Sequence, residues 1–284
     1  MGEATAGPAT DAGVTVRTGT DLVTARIVDG VGVVTLNRPR RRNALHPEMF
    51  DGVPVALERF ATDPEVGCVL ITGAGSAFCA GGDVRDGRAR RAAEVDPPPS
   101  VAQRSAALTE DARMVRLLHE FPKITLAALP GPAVGAGIGI ALSTDLRIAG
   151  RSAALIPGWG KLALSGDFGG TWFLSRLVGP SRALEILLDG SPVGAEAART
   201  LGLFNRVVED AELSAAALDW ARELAAGPRL AWARIKANVA QAQYLSLAEA
   251  LPLESERMVR SGATAEHKDA VRAWLAAAAV KKPR

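Results

Sequence analysis

Cysteine is scarce in this chain, two of 284 residues, with Cys68 in an apolar run and Cys79 in a glycine-rich loop. That usage excludes a disulfide framework and fits a reducing compartment, so a cytoplasmic location is expected. Histidine is nearly as rare. His46, His119 and His267 lie far apart without ligand spacing, so no metal site is expected and each reads as a surface or capping residue. No charge-free apolar run is long enough to span a bilayer, and the start Met-Gly-Glu-Ala-Thr-Ala lacks the basic-then-apolar order of a signal peptide. Neither sign of charge dominates. The 33 basic and 31 acidic residues leave a net charge of +2, and aromatic residues make up only 5%, so no basic-aromatic stripe marks nucleic acid or a membrane surface as a partner. A Gly-x-Ser-x-Gly nucleophile elbow is also missing. Gly135, Gly137 and Gly139 do not make a dinucleotide fingerprint, because the third glycine comes one residue too early and no ribose-binding acid follows.

What is present is enough apolar sequence, 48%, to bury a sizeable core. Residues 1–20, rich in Ala, Thr, Gly and Pro, show no apolar periodicity and read as a flexible tail. Val23 to Val28 and Val31 to Leu36 flank Asp29-Gly30, a hairpin signal. Met49, Val53, Leu57 and Phe60 share one helical face, with Gly52 and Pro54 arguing against it. Cys68 to Ile71 and Ile124 to Leu129 read as buried strands, each followed by glycines. Strand, helix, strand implies a parallel crossover and an α/β core over 21–212. Residues 85 to about 105 read as a mobile loop, about 105 to 121 as one amphipathic helix, and helices follow at 171–178, 181–188 and near 194–201, with a strand at Val207-Val208. Residues 213–284 are alanine-rich and helical, with breaks expected at Gly227-Pro228, Pro252 and Gly262; these helices can close over the core or join subunits.

Two strand ends therefore deliver a glycine turn that opens a helix, one at Gly82 and one at Ala136. If their N–H groups converge on one oxygen they form an oxyanion hole, each donor worth about 3–4 kcal/mol to a transition state. Plain tight turns explain the same glycines. Arg38, Arg40, Arg41 and Arg42, with Arg85, Arg88, Arg90 and Arg91, can bind phosphates or simply form a solvated basic face.

Four separated motifs give a more specific reading. They are Val34-Thr35-Leu36-Asn37-Arg38-Pro39 with Asn43-Ala44-Leu45, Ala77-Phe78-Cys79-Ala80-Gly81-Gly82-Asp83, Gly131-Pro132-Ala133-Val134-Gly135-Ala136-Gly137 with Asp145, and Gly169-Gly170-Thr171 with Leu177-Val178-Gly179. In order and spacing, over residues 23 to about 275, the chain resembles the enoyl-CoA hydratase/isomerase, or crotonase, superfamily. The resemblance implies a crotonase-like α/β spiral of ββα units with a C-terminal helical region, a homotrimer or dimer of trimers, and an acyl-coenzyme A thioester as substrate. No cofactor is implied beyond that coenzyme A moiety. The family's oxyanion donors fall on the N–H groups of Gly82 and Ala136, and its coenzyme A contacts on backbone near Arg42, Ala44, Ala80, Gly82, Asp83 and Val84. Asp83 and Asp145 read as structural.

The departures from the family pattern bear on the reaction. The two water-holding glutamates of typical hydratases are replaced by Gly139 and Trp159, neither of which can act as acid or base. Asp167, before Phe-Gly-Gly-Thr-Trp, matches the catalytic aspartate of the Asp-dependent isomerase branch, and the tail from Ser246 to Ala270 resembles that of the ring-epoxide isomerases. A dehalogenase in the superfamily has Trp and Asp at this spacing, the Asp being its nucleophile, but Ala112 stands where that enzyme has a histidine. The resemblance thus implies isomerisation of an unsaturated or ring-modified acyl-CoA with Asp167 moving a proton. The alternatives are non-standard hydration, hydrolytic substitution on an aryl-CoA, or silent acyl-CoA binding. From the residues alone, Asp167 also suits a helix N-cap. Trp159 suits a pocket wall or the core, and Phe168 and Trp172 suit packing.

Overall fold

The computed structural model of the chain describes residues 13–83, 95 and 97–280. Its main sheet has seven strands in the order β1 (Val14–Val16), β2 (Val23–Val28), β3 (Val31–Leu36), β4 (Cys68–Gly73), β5 (Ile124–Leu129), β7 (Leu146–Gly150) and β10 (Arg206–Val208). β1, β2 and β3 are antiparallel, and from β3 to β10 every pairing is parallel. The Asp29-Gly30 turn closes the expected hairpin, with Val28 opposite Val31. Both turn residues have positive φ, 49° and 79°, the geometry whose twist matches that of the strands. One expectation is corrected here. The structureless stretch up to residue 20 contains β1, which pairs with β2, and Thr18 is buried, its hydroxyl donating to the carbonyls of Thr20 and Val23.

Parallel strands need crossovers, and these bury both faces of the sheet. On one face Val34, Leu36, Val69, Ile71, Ala127 and Leu129 pack against buried side chains of α1 (Pro47–Thr62), α3 (Arg113–His119) and α4 (Ala136–Leu142), with α2 (Val101–Asp111) preceding α3 in the chain. α1 runs through both Gly52 and Pro54, and Met49, Val53, Leu57 and Phe60 are all buried as their spacing predicts. The single helix expected over 105–121 is instead α2 and α3, joined at Ala112. α2 begins within the expected loop because Ser100 and Gln103 form a reciprocal capping box, which satisfies two otherwise unpaired donors.

A second, three-stranded sheet comprises β6 (Ala133–Val134), β8 (Ala154–Ile156) and β9 (Val193–Gly194), parallel between β6 and β8 and antiparallel between β8 and β9. Around it lie α5 (Gly170–Val178), α6 (Pro180–Asp189) and α7 (Ala195–Thr200).

Four helices close the chain: α8 (Leu213–Ala226), α9 (Arg229–Gln241), α10 (Leu247–Gly262) and α11 (Ala265–Val280). α8 is core. Its Leu213, Ala217, Trp220, Ala221 and Ala225 cover Val31, Val33, Cys68, Leu70, Leu126, Ala128 and Ile148 on the second sheet face. The break expected at Pro252 does not occur: that proline lies inside α10, which runs through it at the loss of one backbone donor. Among the described residues no helix is long and apolar enough to cross a membrane.

Candidate active site

The two glycine turns singled out in the sequence lie side by side. The loop after β4 is held from beneath by Asn43, which is fully buried. Its Nδ2 donates to the carbonyls of Ala74 and Ala77 at 3.0 and 2.8 Å, and its Oδ1 accepts from the Arg38 N–H at 2.9 Å. Leu45 then bridges to Gly82, and Cys79 bridges to Ala133 at the start of β6. The Val134 N–H donates to the Cys79 carbonyl at 2.8 Å. A Cβ added to Gly81 would lie 3.6 Å from the Ala136 nitrogen, so the Gly81-Gly82 turn abuts the turn that opens α4. Among the described residues, neither the Gly82 nor the Ala136 N–H donates to a backbone carbonyl. Ala136 is the first residue of α4, where a helix has no internal acceptor.

Asp167 stands next to this pair through one intermediary. Trp159 is 6% exposed, and its indole Nε1–H donates to Asp167 Oδ1 at 2.8 Å. A Cβ on Gly135, immediately before Ala136, would lie 3.8 Å from that same Nε1. Trp159 is thus core, and its indole N–H fixes one oxygen of the carboxylate. Asp167 is not an N-cap: α5 begins after Gly169 with no side-chain cap. Among the described residues, Asp167 Oδ2 has no hydrogen-bond partner. Burial raises the Asp167 pKa above the ordinary carboxylate value, while the Trp159 hydrogen bond opposes the rise.

Gly139 packs directly against the Asp167 loop. A Cβ there would meet the Phe168 carbonyl oxygen at 2.0 Å, so backbone from the Asp167 loop fills the space that a glutamate side chain would need. Phe168 in that loop adopts φ 50°, left-handed for a non-glycine residue, and its ring is buried beside Phe50 at a centroid distance of 6.0 Å.

The segments assigned to coenzyme A are adjacent. The Ala80 N–H donates to the Arg42 carbonyl at 2.9 Å, and the Leu45 N–H to the Gly81 carbonyl at 2.8 Å. Arg38 does not belong among the phosphate candidates, since its Nη1 is 2.6 Å from Asp83 Oδ2 and 3.1 Å from the Ala44 carbonyl. Arg40, Arg41 and Arg42 are exposed. Val84, Arg85, Arg88, Arg90 and Arg91 lie outside the described residues. Asp145 is structural, accepting from the Thr125 N–H and from Lys236 Nζ, both at 2.8 Å. Burial pushes both thiols up to about 12, so neither Cys68 nor Cys79 is a nucleophile here. His119, the last residue of α3, is half-buried and is not a cap. It stacks edge-on with Trp172 and Phe173 at 5.2 and 5.3 Å, and its pKa is lowered by burial and by Lys236. Asn43 and Phe168 are the residues whose structural importance the sequence hides, because a buried amide and a left-handed φ leave no periodic signal.

Comparison with known proteins places these features in a family. Residues 26–279 match the family described as enoyl-CoA hydratase/isomerase. The chain is 35% identical to the 1,2-epoxyphenylacetyl-CoA isomerase of Escherichia coli K12, over 90% of this chain and 96% of that protein. It is 31% identical to 4-chlorobenzoyl coenzyme A dehalogenase-2 of an Arthrobacter species, over 82% and 83%. Among solved structures, an enoyl-CoA hydratase from Polaromonas sp. JS666 superposes with a TM-score of 0.83 at 29% identity, over 89% and 96% of the two chains.

Proposed function

The chain belongs to the enoyl-CoA hydratase/isomerase family, and on that premise we propose that it isomerises an unsaturated or ring-modified acyl-CoA, with Asp167 as the proton-transfer residue. The observation that carries this reading is the placement of Asp167. Trp159 holds its carboxylate one indole away from the turn of Ala136, with Oδ2 unbonded, while Gly139 and Trp159 hold no acid or base at the hydratase positions.

In the proposed step the thioester oxygen lies on the N–H groups of Gly82 and Ala136. Asp167 Oδ2 takes a proton from an acyl carbon, the bonding pair delocalises into the thioester, and the developing oxyanion is met by the two donors. Returning the proton to another carbon completes an isomerisation that consumes neither water nor oxidant. A pKa raised by burial suits this exchange, since the group must both accept and release a proton near its working pH. Backbone near Arg42, Ala44, Ala80, Gly82, Asp83 and Val84 holds the coenzyme A moiety, which is the only cofactor-like group in this reading. The protein works as a homotrimer or dimer of trimers and needs neither nucleic acid nor a membrane.

A screen of enoyl-, dienoyl- and aryl-CoA thioesters tests the proposal, with Asp167→Asn alongside. The variant is expected to bind the accepted thioester with little change but to lose about 100-fold or more in kcat. Full turnover by the variant sinks the assignment.

A second reading has one observation in its favour: a carboxylate aimed by an indole N–H also suits direct attack on an acyl-ring carbon. Ala112 supplies no base for that route. Rapid-quench mass spectrometry on an aryl-CoA separates the two, since only attack leaves an aspartyl ester. Binding without turnover across the whole panel would point instead to a silent acyl-CoA-binding protein.

A further inference from the structure

We propose that Phe168 is the positioning residue of the site: its left-handed backbone, seated through its carbonyl on Gly139, holds Asp167 in the arc of Trp159. The inference rests on the reading of Asp167 given above for its catalytic meaning, though not for its geometry.

Three observations converge on it. The loop turns through Gly166 at φ 106°, Phe168 at φ 50° and Gly169 at φ 70°, and Phe168 is the one of these three that carries a side chain. Such a conformation is strained for a non-glycine residue and persists only where the surroundings impose it. Here the ring is buried, 5% exposed and next to Phe50, so the side chain anchors the strained backbone. The second observation is the seat. With a virtual Cβ only 2.0 Å from the Phe168 oxygen, 2.9 Å from its carbonyl carbon and 3.0 Å from its Cβ, position 139 accepts no residue but glycine while the loop stays where it is. The third is the turn that follows: the Gly170 N–H donates to the Asp167 carbonyl at 3.0 Å, tying Asp167 to the start of α5. Asp167 is therefore held on its C-terminal side by a peptide packed on Gly139 and hydrogen-bonded to Gly170, and at its tip by the Trp159 N–H.

The test reads the Trp159 indole directly. The five tryptophans each give one indole N–H cross-peak in a ¹⁵N–¹H spectrum of the whole protein, and Trp159→Phe assigns the relevant one. Gly139→Ala is expected to shift that cross-peak while leaving the other four in place. If Gly139→Ala fails to fold, a second pair decides. Phe168→Ala and Phe168→Gly remove the same ring, but only glycine tolerates the left-handed backbone without an anchor. Phe168→Gly is expected to keep the Trp159 cross-peak at its wild-type position, and Phe168→Ala to move it. The proposal is overturned if Gly139→Ala folds with the Trp159 cross-peak unmoved, or if the two Phe168 variants behave alike.

Turnover separates this inference from the functional one. Where the cross-peak moves, kcat on the accepted thioester is expected to fall by about 100-fold with KM little changed, as for misplacement of a reacting group. A moved cross-peak with undiminished kcat leaves the positioning role intact and removes Asp167 from the chemistry.

Discussion

Asp167 is the residue at which folding and chemistry pull in opposite directions. Its pKa is raised in the fold, so its protonated form is favoured there, and its ionisation costs stability as pH climbs from the ordinary carboxylate value through the raised one. Asp167→Asn should therefore leave the urea midpoint at pH 7 unchanged or slightly higher while lowering kcat by about 100-fold or more, a combination found where a site is built against stability. A lowered midpoint would show that the carboxylate is a structural anchor. The same shift sets the pH profile. A base titrates through its folded-state pKa, so kcat/KM should fall as pH drops through a value above the ordinary aspartate range. Asp83 is the contrasting carboxylate. It is paired with Arg38, and the two side chains are only 5% and 14% exposed, so Asp83→Ala strands a buried guanidinium. The expected cost is about 3–5 kcal/mol in denaturant unfolding, and a loss under 1 kcal/mol would show that water readily solvates Arg38.

Among the elements, most of those with enough residues to show a period were legible. The hairpin, β4, β5 and the helices of 171–201 fall where apolar spacing and turn residues put them, α1 falls where its apolar spacing puts it despite Gly52 and Pro54, and both glycine turns were visible as strand ends; β7 and the unbroken run of α10 through Pro252 were not read. The second sheet was not. β6, β8 and β9 have two or three residues each, too few for alternation to register, and their partners are distant in sequence. β1 was hidden for the same reason. At the site, sequence identified Gly82, Ala136, Trp159 and Asp167 as separate positions, but the indole-carboxylate bond and the Gly139-Phe168 seat exist only once the chain is folded. The α2–α3 junction at Ala112 went unread because no glycine or proline marks it.

Taken whole, the molecule has a well-buried core and an uncovered end. α9 and α10 contain no buried residue, and Ile235, Val239, Leu251, Met258 and Trp274 are each at least half exposed. Apolar surface of that kind commonly marks an interface, in keeping with the proposed trimer or dimer of trimers. Light scattering on the purified protein should return three or six times the chain mass of 29.5 kDa, and a monomeric mass at micromolar concentration would contradict the proposal. The site itself draws on strand ends of the main sheet, on the second sheet's loops and on the start of α5, so its geometry depends on how these layers pack. The central claim is that this assembly moves a proton on an acyl-CoA through Asp167. The most direct measurement is deuterium uptake from D2O into the acyl group of an accepted thioester. The account predicts rapid uptake with the wild-type protein and none above background with Asp167→Asn at equal thioester occupancy; uptake by the variant at the wild-type rate would contradict it.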